Sequence, residues 1–116
     1  MDESRINNIK SQMRKGILEY CILLFLQKGT AYPSDILSAL KDAQLIVVEG
    51  TIYTLLNRLK KEGLLSYEWQ ESKLGPPRKY FFITDKGNEE LKLISDAWNE
   101  ISNTVNYFKK ILPSNE

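Results

Sequence analysis

Residues 48–63 read VEGTIYTLLNRLKKEG, and this stretch predicts one short helix with two different faces. Apolar residues recur at steps of three and four, the spacing of a buried helical stripe: Ile52, Leu55, Leu56 and Leu59. The opposite face carries small, hydrogen-bonding and cationic groups but no acid: Gly50, Thr54, Asn57 and Lys61, flanked by Thr51, Tyr53 and Arg58. Such a face is typical of a helix that enters the major groove of DNA.

Composition limits what else the chain can do. Its 116 residues suffice for one domain with a modest core, and the net charge of +1 is not that of a generally basic protein. The absence of histidine removes Ser-His-Asp and Cys-His nucleophile pairs and most zinc sites. The single cysteine, Cys21, lies in an apolar run and is expected to be an inert buried thiol. We expect no catalytic residue, no metal site and no cofactor.

A membrane association is not indicated. The N-terminus lacks the pattern of a signal peptide, and the longest apolar run, residues 17–26, is too short for a helix that spans a bilayer, which needs roughly 20 residues. We therefore expect a cytoplasmic protein.

The first half of the chain predicts two helices, followed by a short apolar segment that leads into the helix of residues 48–63. One helix is predicted over Arg5–Lys28, ended by Gly29, and a second begins at Pro33. Residues 45–48 are apolar and largely β-branched, which favours a minor strand before the helix of residues 48–63.

The second half predicts a hairpin followed by a long helix. Residues 64–71 and 78–84 form the two strands, and residues 72–77 form the turn. The hairpin tip is basic because it carries Lys73, Arg78 and Lys79. The last helix begins near Thr84 or Asp85 and ends at Pro113.

The last helix carries an apolar seam with heptad spacing, formed by Leu91, Ile94, Trp98, Ile101, Val105, Phe108 and Leu112. So small a chain offers this seam nothing to pack on, which predicts a homodimer whose interface these residues form. Trp98 has two interpretations that are compatible with each other: a dimer-core residue, or an aromatic wall of a ligand site between subunits.

Once these residues are aligned, the chain resembles the PadR-like family of bacterial transcriptional regulators. The resemblance rests on residues 49–65, which read EGTIYTLLNRLKKEGLL, and on GPPRKYF at residues 75–81 with Ile83, Thr84 and Gly87. It covers roughly residues 10–110, and the single C-terminal helix is similar to the short subfamily, whose members include multidrug-responsive repressors. Two departures from the family pattern stand out. Many relatives carry proline where Thr54 stands. The wing has one glycine, Gly75, where relatives often have two or three, so we expect a stiffer wing here.

The resemblance implies a mainly α fold with a small β-hairpin: a winged helix-turn-helix over residues 1–84 and a C-terminal dimerisation helix over residues 85–113. In the short subfamily, the tryptophan at the place of Trp98 stacks on flat aromatic ligands in a pore between subunits. A small aromatic effector is thereby implied at Trp98, with Ile9, Met13, Ile17 and Ile94 as further wall residues.

The expected partner is a near-palindromic double-stranded DNA operator. The predicted contact residues are Tyr32, Ser34, Gly50, Thr51, Tyr53, Thr54, Asn57, Arg58, Lys61, Lys73, Gly75, Arg78 and Lys79. Tyr32 and Ser34 would place a phosphate at a helix N-terminus. Gly50 is also interpreted as structural, allowing close packing at the helix start.

Three functions remain as alternatives. The leading one is a homodimeric, sequence-specific transcriptional repressor released by a planar effector. The second is a winged-helix module that binds protein instead of DNA, which the near-neutral charge would suit. An enzyme is the third and has the least support, because no acid pair, metal cluster or nucleophile with its base is found.

Overall fold

The computed structural model describes residues 2–45 and 47–111. Five helices and two strands follow one another: α1 Glu3–Arg14, α2 Ile17–Lys28, α3 Pro33–Asp42, α4 Glu49–Lys61, β1 Leu65–Ser72, β2 Gly75–Ile83 and α5 Asp85–Ile111. The architecture is a helix-turn-helix with a β-hairpin wing and a long C-terminal helix, so the predicted fold class is confirmed.

The predicted continuous helix over Arg5–Lys28 is wrong, because the chain breaks at Lys15 and Gly16. Gly16 adopts a φ of 85°, a left-handed conformation that glycine reaches without a side-chain clash. The second part ends as predicted at Gly29, whose N–H donates to the carbonyl of Leu26. α1 and α2 are therefore separate helices, and no residue of α1 is buried.

The core lies between α2, α3, α4 and the hairpin. α2 supplies its centre because three of its residues are buried, Ile22, Leu23 and Leu26. The other buried apolar residues are Ala31, Ile36, Leu40, Ile52, Leu56, Leu59, Leu64, Leu65, Phe81 and Leu91. α3 begins at Pro33 as predicted. This core holds α4 with its apolar stripe inward and its other face outward.

No minor strand forms in the described part of residues 45–48, since Leu45, Val47 and Val48 lie outside any strand and Ile46 falls outside the described residues. The chain instead leaves α3 through a left-handed residue, Gln44, with a φ of 63°. The N–H of Leu45 then donates to the carbonyl of Leu40, which closes the end of the helix.

The wing is longer than its predicted strands. β1 and β2 pair antiparallel from Leu65 opposite Ile83 out to Ser72 opposite Gly75, with a register irregularity near the tip. The predicted turn over residues 72–77 is therefore too long, and Lys73 and Leu74 alone connect the strands. On the other side of β2, Ala31 forms an isolated bridge with Phe81 and so ties the wing to the α2–α3 loop.

Thr84 joins α4, the wing and α5. Its hydroxyl lies 2.6 Å from the carbonyl oxygen of Gly63 and accepts the N–H of Gly87 at 3.0 Å, so it caps α5 as predicted. Lys86 Nζ donates to the carbonyl of Glu62 at the end of α4. α5 then packs along α2, where Leu91 is buried, and continues to Ile111 with its later apolar residues exposed.

Candidate nucleic-acid interface

The outward face of α4 is fully available at the surface. Ile52, Leu56 and Leu59 point inward with no exposed area. All seven residues predicted on the opposite side are exposed, namely Gly50, Thr51, Tyr53, Thr54, Asn57, Arg58 and Lys61. The helical period therefore identified correctly which side of α4 can meet a partner.

Gly50 does not serve internal packing, so that interpretation is wrong. A Cβ atom built on Gly50 would meet nothing within 4 Å. By contrast, a Cβ on Gly87 would collide with the carbonyl of Leu64 and lie 2.6 Å from a side-chain carbon of Ile83. Only the second glycine is required by the packing of this chain, and the space above Gly50 is open to a partner.

Arg58 is bound within the protein. Its guanidinium lies 3.0 Å from a carboxylate oxygen of Glu62, one helical turn away, and 3.4 Å from Glu19 on α2. The Arg58 side chain is still 50% exposed, so these ion pairs are weak and open to competition by another anion. Its role as a phosphate contact stays a prediction.

The start of α3 and the wing are connected by an aromatic and basic cluster that brings three predicted residues together. The guanidinium carbon of Arg78 lies 3.9 Å from the centre of the Tyr32 ring, and Arg78 donates to the Ser34 hydroxyl at 2.8 Å. Tyr80 packs edge-on against Tyr32, with ring centres 4.7 Å apart. Arg78 is thereby held in one orientation beside α3.

The N-terminus of α3 is already capped by a carboxylate of the same helix, that of Asp35. The N–H of Tyr32 donates to the Asp35 carboxylate at 2.9 Å, which stabilises the first turn. A phosphate at this place would meet Asp35 as well as Ser34. The Arg78 guanidinium, stacked above the same turn, supplies the positive charge that an approaching phosphate requires.

Lys79 lies on the other side of the wing from Arg78, because successive residues of a strand alternate between its faces. Its ammonium is 4.6 Å from the ring centre of Tyr67 and 5.5 Å from that of Trp69. Lys60 of α4 reaches the same Tyr67 ring at 5.3 Å. Sequence reasoning missed Lys60 and Trp69 here, because the register that pairs Trp69 with Lys79 depends on a two-residue turn that the sequence did not predict.

The tip of the wing carries Lys73 and Leu74 ahead of Gly75. Leu74 is 99% exposed, and its N–H donates to the Ser72 hydroxyl at 3.3 Å. Gly75 is the first residue of β2. A Cβ atom added to it would meet only the Ser72 hydroxyl, at 4.0 Å, so the packing does not require a glycine there. Leu74 is a third residue that sequence reasoning did not single out.

Four of the residues predicted for an effector site line one groove between α5 and the α1–α2 junction. This groove of about 310 Å³, hereafter the Trp98 groove, is lined by Met13, Lys15, Gly16, Ile17, Tyr20, Ile94, Ala97, Trp98 and Ile101. Ile9 is not among the lining residues and is 44% exposed. Tyr20 was missed; its hydroxyl contacts Ser95 at 3.1 Å and its ring centre lies 6.2 Å from that of Trp98.

The predicted dimer seam is partly used by the chain itself. Leu91 is only 2% exposed and belongs to the core, so the seam open to a second copy begins at Ile94. Beyond it the seam residues are 42–60% exposed: Trp98, Ile101, Val105 and Phe108. Leu112 lies outside the described residues.

Three further observations concern metal binding, thiol chemistry and membranes. Within residues 2–45 and 47–111, no group of three or more potential metal ligands is found. Partial burial raises the pKa of the Cys21 thiol, so the thiol is protonated at neutral pH and a poor nucleophile. No helix in the same part of the chain is long and apolar enough to cross a membrane.

Comparison with known proteins agrees with this geometry. The family model of the transcriptional regulator PadR-like family matches residues 22–93. A PadR-like transcription factor structure from Bacteroides fragilis is 59% identical, covers 87% of this chain and 98% of its own, and has a TM-score of 0.75. A PadR family regulator from Eggerthella lenta is 26% identical with a TM-score of 0.85 over 95% and 96% of the two chains. A PadR-like regulator from Bacillus cereus is 42% identical with a TM-score of 0.73 over 84% and 95%.

Proposed function

This chain belongs to the PadR-like family of transcriptional regulators, and from that premise we propose that it acts as a homodimeric, sequence-specific repressor in the cytoplasm. Regulators of this family are DNA-binding proteins and not enzymes. The observation that carries the proposal is the acid-free, exposed face of α4, flanked by the cationic wing.

The proposal divides the interface into base contacts and phosphate contacts. Tyr53, Thr54 and Asn57 lie on the outermost part of α4 and would bond base edges in a major groove about 12 Å wide. Lys61, Arg78 and the tip residue Lys73 would bind phosphates, which set the position of the protein without reading sequence. Gly50 would let the DNA backbone approach the start of α4 closely, because nothing fills the space above it.

A second copy would complete the regulator. The exposed seam of α5 from Ile94 onward supplies an apolar surface that a second copy would cover. A two-fold dimer places two α4 helices against one duplex, and half-sites about one helical turn apart, roughly 34 Å, would follow. The operator would therefore be near-palindromic.

The Trp98 groove would bind a flat aromatic effector that lowers DNA affinity. Tyr20, Trp98 and the aliphatic walls give the groove an apolar, aromatic surface that suits such a ligand. Trp98 would serve at the same time as part of the dimer contact.

The proposal is tested by a mobility-shift titration on DNA taken from upstream of the gene for this protein. We expect a salt-sensitive complex that prefers this DNA over a scrambled duplex of the same length. Asn57→Ala should relax the preference at particular base pairs, and Lys61→Ala should weaken binding to both duplexes. Lys92→Ala, which removes an exposed cation on α5, is the matched control and should change neither. Equal, salt-insensitive binding to both duplexes would reject the proposal and favour a protein-binding module.

The effector site is tested by following tryptophan fluorescence during titration with a panel of planar aromatic compounds. The variant Trp69→Phe leaves Trp98 as the single tryptophan, whereas Trp98→Ala leaves Trp69. We expect saturable quenching in the first variant and none in the second. Equal quenching in both variants would show that the ligand binds elsewhere.

A further inference from the structure

A second groove lies between α4 and the α1–α2 junction. This groove of about 480 Å³, hereafter the junction groove, is lined by Ser11, Arg14, Lys15, Gly16, Leu18, Glu19, Val47, Val48, Thr51, Leu55 and Arg58. It is continuous with the surface above α4, because Val48, Thr51, Leu55 and Arg58 also line the depression that contains Gly50 and Thr54. A polymer that follows the outer face of α4 would therefore reach the junction groove.

The charges of the junction groove favour an anion. Arg14, Lys15 and Arg58 line it together with one acid, Glu19, and a second acid, Glu62, holds the other terminal nitrogen of Arg58 from outside the groove. The hydroxyls of Ser11 and Thr51 add neutral hydrogen-bonding groups on the two walls. Charge excess and hydroxyl donors together are the surroundings in which proteins hold backbone phosphates of DNA.

We propose that the junction groove is a further DNA-contact surface, in which a backbone phosphate replaces the Glu19 carboxylate on Arg58 and is also bound by Lys15. The proposal rests on the DNA-binding function proposed above and adds contacts from the α1–α2 junction to those of α4 and the wing. Glu19 acts as an internal substitute for the phosphate: it neutralises Arg58 while DNA is absent and competes with DNA for the same guanidinium.

The exchange at Arg58 is physically reasonable because the existing ion pair is weak. The 3.4 Å separation between Arg58 and Glu19, and the half-exposed guanidinium, leave the pair screened by water and salt. A phosphodiester offers a planar guanidinium two acceptor oxygens at once. The second contact of Arg58, to Glu62 at 3.0 Å, involves the other terminal nitrogen and can persist during the exchange.

The first test removes the positive charge of Lys15, the second cation proposed to bind the phosphate. Lys15→Gln should weaken binding about three- to tenfold on both operator and scrambled DNA, and should lower the slope of log affinity against log salt by about 1. Lys10→Gln is the matched control, because Lys10 is also an exposed lysine of the N-terminal segment but does not line the groove. It should leave affinity and slope within error of the parent protein.

The second test removes the competitor. Glu19→Gln should strengthen binding to both duplexes by threefold or more, and circular dichroism should show unchanged helix content because the ion pair that is lost is partly exposed to solvent and glutamine keeps the size of the side chain. In the double variant Glu19→Gln with Arg58→Gln this gain should vanish, since no guanidinium remains to be released.

The outcomes separate the two proposals. If the parent protein binds no DNA in a salt-sensitive manner, the proposed function itself fails. If the parent protein binds operator DNA but Lys15→Gln equals Lys10→Gln in affinity and slope, the junction groove is not a DNA contact. Unchanged or weaker binding by a correctly folded Glu19→Gln variant would likewise overturn the exchange at Arg58.

Discussion

Gly50 and Gly87 differ in the space around them: a side chain would fit at Gly50 but would collide with the protein at Gly87, and this difference can be measured. Gly50→Ala adds a methyl group in open space on a helix, which should raise the free energy of unfolding by up to about 1 kcal/mol. Gly87→Ala forces a methyl group onto the Leu64 carbonyl and should lower it by about 1–3 kcal/mol. Chemical denaturation of both variants gives the two values.

The same pair of variants separates stability from binding at the level of single residues. If DNA approaches α4 closely, Gly50→Ala should bind DNA several-fold more weakly although it is the more stable protein. Gly87→Ala, tested well below its unfolding temperature, should bind normally because Gly87 is buried away from α4's outer face. A Gly50→Ala protein with full DNA affinity would contradict the close approach.

Among the elements, the wing is positioned by Arg78, and its contribution comes from shape as well as charge. Arg78→Lys keeps the positive charge but loses the flat stacking on Tyr32 and the directed bond to Ser34. We expect several-fold weaker DNA binding with an unchanged salt slope, measured by titration at three or more salt concentrations. Arg78→Gln, which also loses the charge, should in addition lower the slope by about 1. Identical affinity of Arg78→Lys and the parent protein would show that charge alone matters.

The elements also show what sequence patterns can predict. Helical spacing identified the inward and outward faces of α4, because burial selects one residue type on one side. The same spacing runs through Ile9, Met13 and Ile17, and it therefore hid the break at Gly16. Apolar spacing reports which face is buried and not whether the helix axis continues. The break depends on a left-handed backbone conformation at one residue, which composition does not reveal.

The wing illustrates a second limit. Pro76 and Pro77 together predicted a turn, but both lie within β2. Proline is tolerated there because both residues lie opposite the point, between Gln70 and Ser72, where the regular pairing of the two strands is interrupted. The contacts of Arg58 with Glu19, 39 residues apart, and of Arg78 with Ser34, 44 residues apart, arise only from the tertiary fold. The residue types of the candidate interface were thus predictable, but their pairings were not.

At the scale of the whole molecule, the exposed seam of α5 predicts two copies in solution. The parent protein should have twice the 13.4 kDa mass of one chain in light scattering after gel filtration. Ile101→Asp, on the seam and 60% exposed, should shift the mass towards one chain. Leu93→Asp is the matched control, since Leu93 is 64% exposed on the same helix but off the seam, and it should leave the mass unchanged. Equal behaviour of both variants would refute the seam as the dimer contact.

The junction between α1 and α2 has a consequence for the whole molecule, since Lys15 and Gly16 line both the Trp98 groove and the junction groove. If the ligand and the DNA duplex favour different conformations of this two-residue segment, the binding of one affects the binding of the other. Thermodynamics then requires reciprocity: if the ligand lowers the affinity for DNA by some factor, DNA lowers the affinity for the ligand by the same factor. A regulator sitting on its operator would therefore be a poorer sensor than the same protein free in solution, by a factor equal to the strength of its own response.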